Sequence, residues 1–361
     1  MRIALLIDSL GSGGAQRQIV NLAIELKRRG HCVDLVYYHQ DEFHMATLLK
    51  ADISPILVSN SGAISRLVGI RKQLKALNPE IVIAYLNTPG FCASVASLGK
   101  HNWKLIVSER NANRDAFLNK KSNLMKYVQA KVADQIVCNS WSARKLWEEF
   151  FPNASQKIET IYNIIDVPQI ELSNHRESKC KIVVPARYDS EKNLDGLLQA
   201  LLLLSEEERQ ALEIHWYGRN RVGDEIVEVY RKGIDYINEH GLQHCISLNS
   251  ETNMIYPIMA EADFVALFSH REGLPNAIIE GMTLKKPVVM SKVSDYAVLV
   301  NEENGFLCNP NSSEDIARAL RGAISTSPAQ RTEMGNKSYE KIKTICSRDV
   351  VISQWEDILH N

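Results

Sequence analysis

The sequence predicts an α/β chain built from two consecutive parallel-sheet domains. Three observations carry that reading. Short apolar runs of the buried-strand kind alternate with 3.6-residue helical patterns along the chain. A polar, strandless interval over 167–179 interrupts the alternation, which then restarts. The 361 residues exceed what one ordinary core organises, so two domains are the default. Strands alternating with helices imply a parallel sheet covered on both faces, and two such sheets imply two Rossmann-like domains facing each other across a cleft. Ligands of such sheets sit at the carboxyl ends of the strands.

The first strand runs over 2–8 and ends in Ser9-Leu10-Gly11-Ser12-Gly13-Gly14. Helical spacing follows over 15–29 (Ile19, Leu22, Ala23, Leu26), and Gly30 stops it. A dinucleotide fingerprint fails here, because the third glycine of G-x-G-x-x-G falls on Gln16. What survives is a glycine turn, at Gly13 and Gly14, where backbone closely approaches a ligand. Strand patterns recur at 32–38, 55–58, 81–85, 105–107, 135–138 and 158–162, with helical patterns at 63–77, 91–99, 118–132 and 140–150. Directly after a buried strand stand Glu109, Arg110 and Asn111, a polar cluster that suits a cleft wall. Residues 114–131 interleave Arg114, Lys120, Lys121, Lys126 and Lys131 with apolar side chains. Such a stretch suits a membrane interface, and equally an ordinary helix with a solvated face.

The pattern restarts with a strand over 180–185. Its loop, Ala186-Arg187-Tyr188-Asp189-Ser190-Glu191-Lys192-Asn193, puts two cations at a strand's carboxyl end. Arginine forks onto phosphate oxygens and lysine supplies a point charge. Helices at 194–204, 224–239 and 254–260 and strands at 212–217 and 245–248 lead to the apolar run 264–268 behind Asp263. Then comes Ser269-His270-Arg271-Glu272-Gly273-Leu274-Pro275-Asn276, which opens a helix carrying Glu280. Pro275 suits the first helical turn, where its missing N–H is no loss. The turn therefore aims backbone N–H groups outward at the positive end of the helix dipole, an anion site. Glu272 and Glu280 frame it, and a carboxylate accepts two hydrogen bonds side by side from vicinal hydroxyls. A capped turn with two solvated glutamates is the plainer alternative. Strands at 287–290 and 305–308 and helices at 313–324, 328–344 and 347–359 complete the chain. The domain reading is 1–168, 169–345, and a terminal helix in 346–361 that crosses back to the first domain.

Composition excludes several classes. Apolar residues at 45% and charged residues at 24% are those of a soluble globular protein rather than a disordered one. Met1-Arg2 runs straight into a strand, which reads as no signal peptide, and no apolar run approaches a membrane span. Seven scattered cysteines without a Cys-x-x-Cys pair read as buried thiols of a reducing cytoplasm, with no metal site. Residues 1–168 hold 21 Lys and Arg against 14 Asp and Glu, and the remainder 21 against 29. The basic amino half fits an anionic partner, or a chance imbalance on solvated faces.

Taken together, these residues resemble the GT-B glycosyltransferases of the large retaining family with a Glu-x7-Glu motif, the glycosyl transferases group 1. The matching residues are Gly13-Gly14-Ala15-Gln16, 163–166, Arg187 with Glu191-Lys192, Asp263, Glu272 through Glu280, and Glu303-Asn304-Gly305-Phe306-Leu307. The resemblance implies that Arg187 and Lys192 neutralise the donor diphosphate and that Glu280 holds the ribose. It places Glu272 against the donor sugar, near the anomeric centre. Backbone around Gly273, Leu274 and Asn276 (with Pro275 lacking an N–H) would meet the donor, and Gly13-Gly14 would line the site from the first domain. No metal or other cofactor is implied, since two cations and a helix terminus can do a metal's work on a leaving diphosphate. Where relatives carry a histidine, this chain has Glu109, Arg110 and Asn111, the acceptor-side candidates, a variant similar to bacterial enzymes extending lipid-linked or surface glycans. The turn Tyr217-Gly218-Arg219-Asn220 and Ser250 also depart from the usual glycines.

The expected function is retaining transfer of a hexose or N-acetylhexosamine, from a UDP-sugar by preference, to a lipid-diphosphate-linked or lipopolysaccharide-type glycan. The expected place is the cytoplasm, with peripheral contact to the inner membrane through the basic first domain, and no nucleic acid partner. The rival readings are a nucleotide-sugar 2-epimerase on the same scaffold and a non-catalytic nucleotide-sugar-binding protein.

Overall fold

A computed structural model describes residues 1–59, 62–165, 170 and 179–360. The chain forms two compact units, one of residues 1–164 with 348–361 and one of 165–347. In the first, seven parallel strands are β1 (Arg2–Leu6), β2 (Cys32–Tyr37), β3 (Ile56–Leu57), β4 (Ile81–Tyr85), β5 (Lys104–Glu109), β6 (Gln135–Cys138) and β7 (Ile158–Thr160), in the order β3-β2-β1-β4-β5-β6-β7. Strand periodicity explains its two cores. Ile3 and Leu5 of β1 join the cluster of Ile19, Leu22 and Leu26, while Ala4 and Leu6 join that of Ile70, Leu74 and Trp147.

The second unit repeats the plan with six parallel strands, β8 (Cys180–Pro185), β9 (Leu212–Gly218), β12 (Ile246–Ser250), β13 (Phe264–Leu267), β14 (Val288–Ser291) and β15 (Gly305–Cys308), in the order β12-β9-β8-β13-β14-β15. A small antiparallel hairpin, β10 (Arg221–Val222) with β11 (Glu225–Ile226), stands apart. It takes the start of the expected helix over 224–239, which begins only at Glu228. In each sheet the strand order reverses beside the first strand, between β1 and β4 and between β8 and β13. At that reversal the loops diverge and leave a crevice, the usual ligand position.

Several boundaries move. The first compact unit runs to Ile164, which packs in the first core and is clamped by Gln18 through both its N–H and its carbonyl, each at 2.8 Å; the expected boundary at 168/169 lies outside the described residues. The strandless interval 167–179 lies outside the described residues except for Ile170 and Lys179, as does Asp166. The returning segment begins at Arg348, not 346, since Cys346 ends the helix Pro328–Cys346 and is buried in the second unit. The stretch 118–132 is not one helix from its first residue. Asn119 ends Arg114–Leu118 and caps Lys120–Val132, its side chain accepting the Ser122 N–H at 3.1 Å.

Candidate active site

The two loops that carry the expected donor residues leave neighbouring strands at the reversal point of the second sheet. β8 and β13 pair with Ile182 opposite Phe264, so the loops after them lie side by side. Gly218, at the end of β9, lets the first loop pack down: a Cβ there would stand 2.1 Å from the Ala186 carbonyl oxygen. Trp216 Nε1 donates to that same carbonyl at 2.7 Å. The Asp189 side chain then accepts the Lys192 N–H at 3.2 Å and closes a short turn, which Asn193 leaves in the left-handed conformation.

Asn193 ties the loops together. Its buried amide donates to Phe268 O at 3.0 Å and to Pro310 O at 2.8 Å, while its oxygen caps the helix Leu194–Leu202 through Gly196 N at 3.1 Å. The His270 N–H donates to Glu191 O at 2.8 Å. Held this way, Lys192 Nζ meets Glu272 Oε1 at 2.5 Å, and Ser269 Oγ donates to the same oxygen at 2.6 Å. The pair is largely shielded, with side chains 15% and 10% exposed. Glu272 Oε2 has no partner among the described residues. Arg187 is the opposite case: it is 73% exposed, with its Nη2 paired to Asp189 at 3.1 Å.

The turn differs from its expected form. Pro275 is the N-cap of the helix Asn276–Thr283 rather than its first helical residue. The Asn276 N–H folds back on Leu274 O at 2.9 Å, so Asn276 offers no backbone donor to a ligand. Gly273 and Leu274 keep their N–H groups without a partner among the described residues. The Gly273 carbonyl is fixed by Ser294 Oγ at 2.6 Å. The Leu274 side chain and Pro275 are buried, and Glu280 lies half-buried on the helix. Asp263 is structural, its Oδ2 accepting the Lys181 N–H at 2.9 Å and pairing with Arg331 at 2.8 Å. An open cavity of about 590 Å³ is lined by Asp189, Glu191, Asp195, His270, Arg271 and Asn311; neither Lys192 nor Glu272 lines it, so it flanks the constellation.

In the first unit, Gly13 is the N-cap of the helix Gly14–Arg28 and carries no side-chain cap. Gln16 instead reaches Asp8 Oδ1 at 3.0 Å. Glu109, Arg110 and Asn111 follow β5, but their roles separate. Glu109 is buried, its Oε2 paired with Lys126 and accepting Trp147 Nε1 at 3.3 Å. Its Oε1 accepts the N–H groups of Arg110 and Asn111, each at 3.2 Å. The Lys126 ammonium lies 4.5 Å from the Phe117 ring centroid and 5.1 Å from that of Trp147. Burial pushes its pKa down. Glu109 is therefore a loop anchor rather than a residue offered to an acceptor, and Lys126 is no part of a solvated basic face. Asn111 is exposed. Among the described residues, no group of three or more His, Cys, Asp or Glu is placed to hold a metal ion.

Sequence reading quoted Asn193 and Ser269 within their loops without giving either a role, and it missed Ser294. Asn193 and Ser269 adjoin singled-out residues, so their polarity next to a strand end was the available signal. Ser294 is distant in sequence, and nothing local announces it.

Two open parallel sheets, each reversing order beside its first strand, give the GT-B fold. Solved structures agree on the fold. Anabaena HepE in complex with UDP matches with a TM-score of 0.85 at 17% identity, covering 100% of both chains. The lipopolysaccharide outer core galactosyltransferase WaaB, in its apo form, matches with a TM-score of 0.80 at 16% identity, covering 100% of this chain and 99% of that one. Residues 169–341 match the family Glycosyl transferases group 1, and residues 12–169 match Glycosyltransferase Family 4. The chain thus combines a Glycosyltransferase Family 4 domain with a Glycosyl transferases group 1 domain. It is 24% identical, over 95% of its length and 96% of the relative's, to the Campylobacter jejuni N-acetylgalactosamine-N,N'-diacetylbacillosaminyl-diphospho-undecaprenol 4-alpha-N-acetylgalactosaminyltransferase. A second Campylobacter jejuni protein, a GalNAc-alpha-(1->4)-GalNAc-alpha-(1->3)-diNAcBac-PP-undecaprenol alpha-1,4-N-acetyl-D-galactosaminyltransferase, is 20% identical over 95% of this chain and 94% of its own. No helix among the described residues is long and apolar enough to cross a membrane.

Proposed function

We propose that this glycosyltransferase moves a hexose or N-acetylhexosamine from a UDP-sugar, with retention, to a lipid-diphosphate-linked glycan on the cytoplasmic side of a membrane. The observation that carries the reading is the Lys192–Glu272–Ser269 arrangement at the β8/β13 reversal, with Arg187 exposed on the same loop. The named activities of the two Campylobacter relatives, and the UDP bound by HepE, support the substrate classes.

In this reading Arg187, Lys192 and the N–H groups of Gly273 and Leu274 take the diphosphate, and Glu280 takes the ribose hydroxyls. Glu272 Oε2 accepts hydroxyls of the donor sugar. A carboxylate shared between an ammonium and a hydroxyl is a weakened nucleophile. That favours front-face displacement, in which the leaving phosphate oxygen helps take the acceptor's proton, over a covalent intermediate on Glu272. The two basic side chains stabilise the departing diphosphate without a metal. Exposed Leu118, Leu124 and Tyr127 beside Lys120 and Lys121 supply the membrane contact.

The test is a donor screen by nucleotide release, with membrane lipid extract as acceptor. Glu272→Ala is expected to cut turnover about a hundredfold while sparing UDP affinity, whereas Arg187→Ala or Lys192→Ala weakens UDP binding about tenfold. A chelator should leave the rate unchanged, and NMR of the product should show the donor's anomeric configuration. Full activity in Glu272→Ala would remove that residue from the site. Epimerised sugar from donor alone would instead establish the 2-epimerase. Donor binding with neither release nor transfer would establish a sensor.

A further inference from the structure

The loop after β5 holds a cation with no counter-ion among the described residues. Arg110 is half-buried; its Nη1 donates to Ser108 Oγ at 3.3 Å, its Nη2 donates to Asn163 Oδ1, and its guanidinium carbon lies 4.6 Å from the Tyr85 ring centroid. All three partners are neutral, and no carboxylate among the described residues pairs with it. Its chain neighbour is turned away, since both oxygens of Glu109 are taken by Lys126, Trp147 and two backbone N–H groups. Asn139 fixes the loop further, its N–H donating to Glu109 O at 3.1 Å and its side chain to Arg110 O at 3.3 Å.

A guanidinium has five N–H donors in a fixed fork, and here two are used. Withdrawing such a charge from water without a partner carries a desolvation cost, and burial accordingly pushes its pKa down. A bound anion removes that cost. The loop also stands at the carboxyl edge of β5, which pairs with β4 beside the reversal of the first sheet, where ligands of such sheets bind.

We propose that Arg110 binds a phosphate or diphosphate group of a substrate, and that the buried Lys126–Glu109 pair positions it by fixing the loop backbone. The proposal rests on the transferase reading for its two sources of phosphate, the donor and a lipid-diphosphate acceptor. Binding to the full chain is measured by calorimetry with UDP, and with inorganic pyrophosphate at saturating UDP. Arg110→Gln is expected to weaken one of the two by about tenfold or more, the scale of one hydrogen bond to a charged group. Loss on the UDP arm assigns the donor's phosphate. Loss of pyrophosphate under saturating UDP assigns the acceptor's. Arg110→Lys, which keeps a cation in the same packing, is expected to retain most of the affinity lost in Arg110→Gln. Unchanged affinity on both arms in a folded Arg110→Gln variant overturns the proposal, as does equal loss in the Gln and Lys variants. Arg110-dependent pyrophosphate binding by a chain that does not bind UDP keeps this site and removes the donor reading instead.

Discussion

Lys126 shows how a residue's type misleads until its burial is known. In the sequence it is one of five cations in an amphipathic stretch, and its spacing does not separate it from Lys120 or Lys131. In the structure it is 2% exposed, between two aromatic rings and a carboxylate. What decides the matter is Glu109, 17 positions earlier, which no local pattern links to it. Removing one member of such a pair leaves the other charge buried and alone, which costs about 3–5 kcal/mol. Lys126→Met is therefore expected to destabilise the chain on that scale in urea denaturation. Adding Glu109→Gln should restore most of the loss, since a glutamine oxygen still accepts the Arg110 and Asn111 N–H groups. A single variant as stable as the wild type would show that the pair does not hold the loop.

At the level of elements, strands with one dominant period were legible: β4, β6, β8 and β15 fall where their apolar runs fall. Helix starts set by tertiary contacts were not. The helix Asn87–Ala96 begins four residues before its periodic pattern, after Leu86 turns the chain at a φ of 76°. Arg187, Lys192 and Glu272 could be singled out as candidates because each lies in a loop that follows a strand end. The hydrogen bonds that join those loops were not legible, because they bridge positions up to 117 residues apart, as Asn193 does to Pro310. The terminal helix Arg348–His360 was visible as a pattern, and its partners are visible only in the fold. Trp355 is buried and stacks on Tyr85 at 6.3 Å, Lys104 Nζ donates to Ile358 O at 2.7 Å, and Arg348 pairs with Glu25. Tyr85 in turn backs Arg110. Trp355→Ala should cost about 3–5 kcal/mol through the cavity it leaves, read as a lower Tm. A Tm no lower than that of Trp141→Ala, at a 44% exposed tryptophan, would mean the helix is not integral to the first unit.

At the scale of the molecule, the charge asymmetry survives the true division of the chain. The first unit, residues 1–164 and 348–361, holds 22 Lys and Arg against 16 Asp and Glu, and the second 20 against 27. The excess is not evenly useful. Arg114 is bound to Glu149 at 2.5 Å, Arg29 to Glu356 at 2.8 Å, and Lys126 is buried. Lys120 and Lys121 are exposed, next to Leu118 at 61%, Leu124 at 62% and Tyr127 at 48% exposure. Apolar side chains ringed by lysines suit an anionic bilayer surface, where each lysine contributes about 1 kcal/mol. The protein should therefore co-sediment with phosphatidylglycerol vesicles and not with phosphatidylcholine, and lose binding as salt shortens the Debye length. Lys120→Glu with Lys121→Glu should weaken vesicle affinity by about thirtyfold or more, the equivalent of two such contributions. UDP affinity should stay unchanged, since neither lysine belongs to the proposed donor site. Equal binding of wild type and double variant would place any membrane contact elsewhere on the chain, and equal binding to both lipids would remove its electrostatic basis.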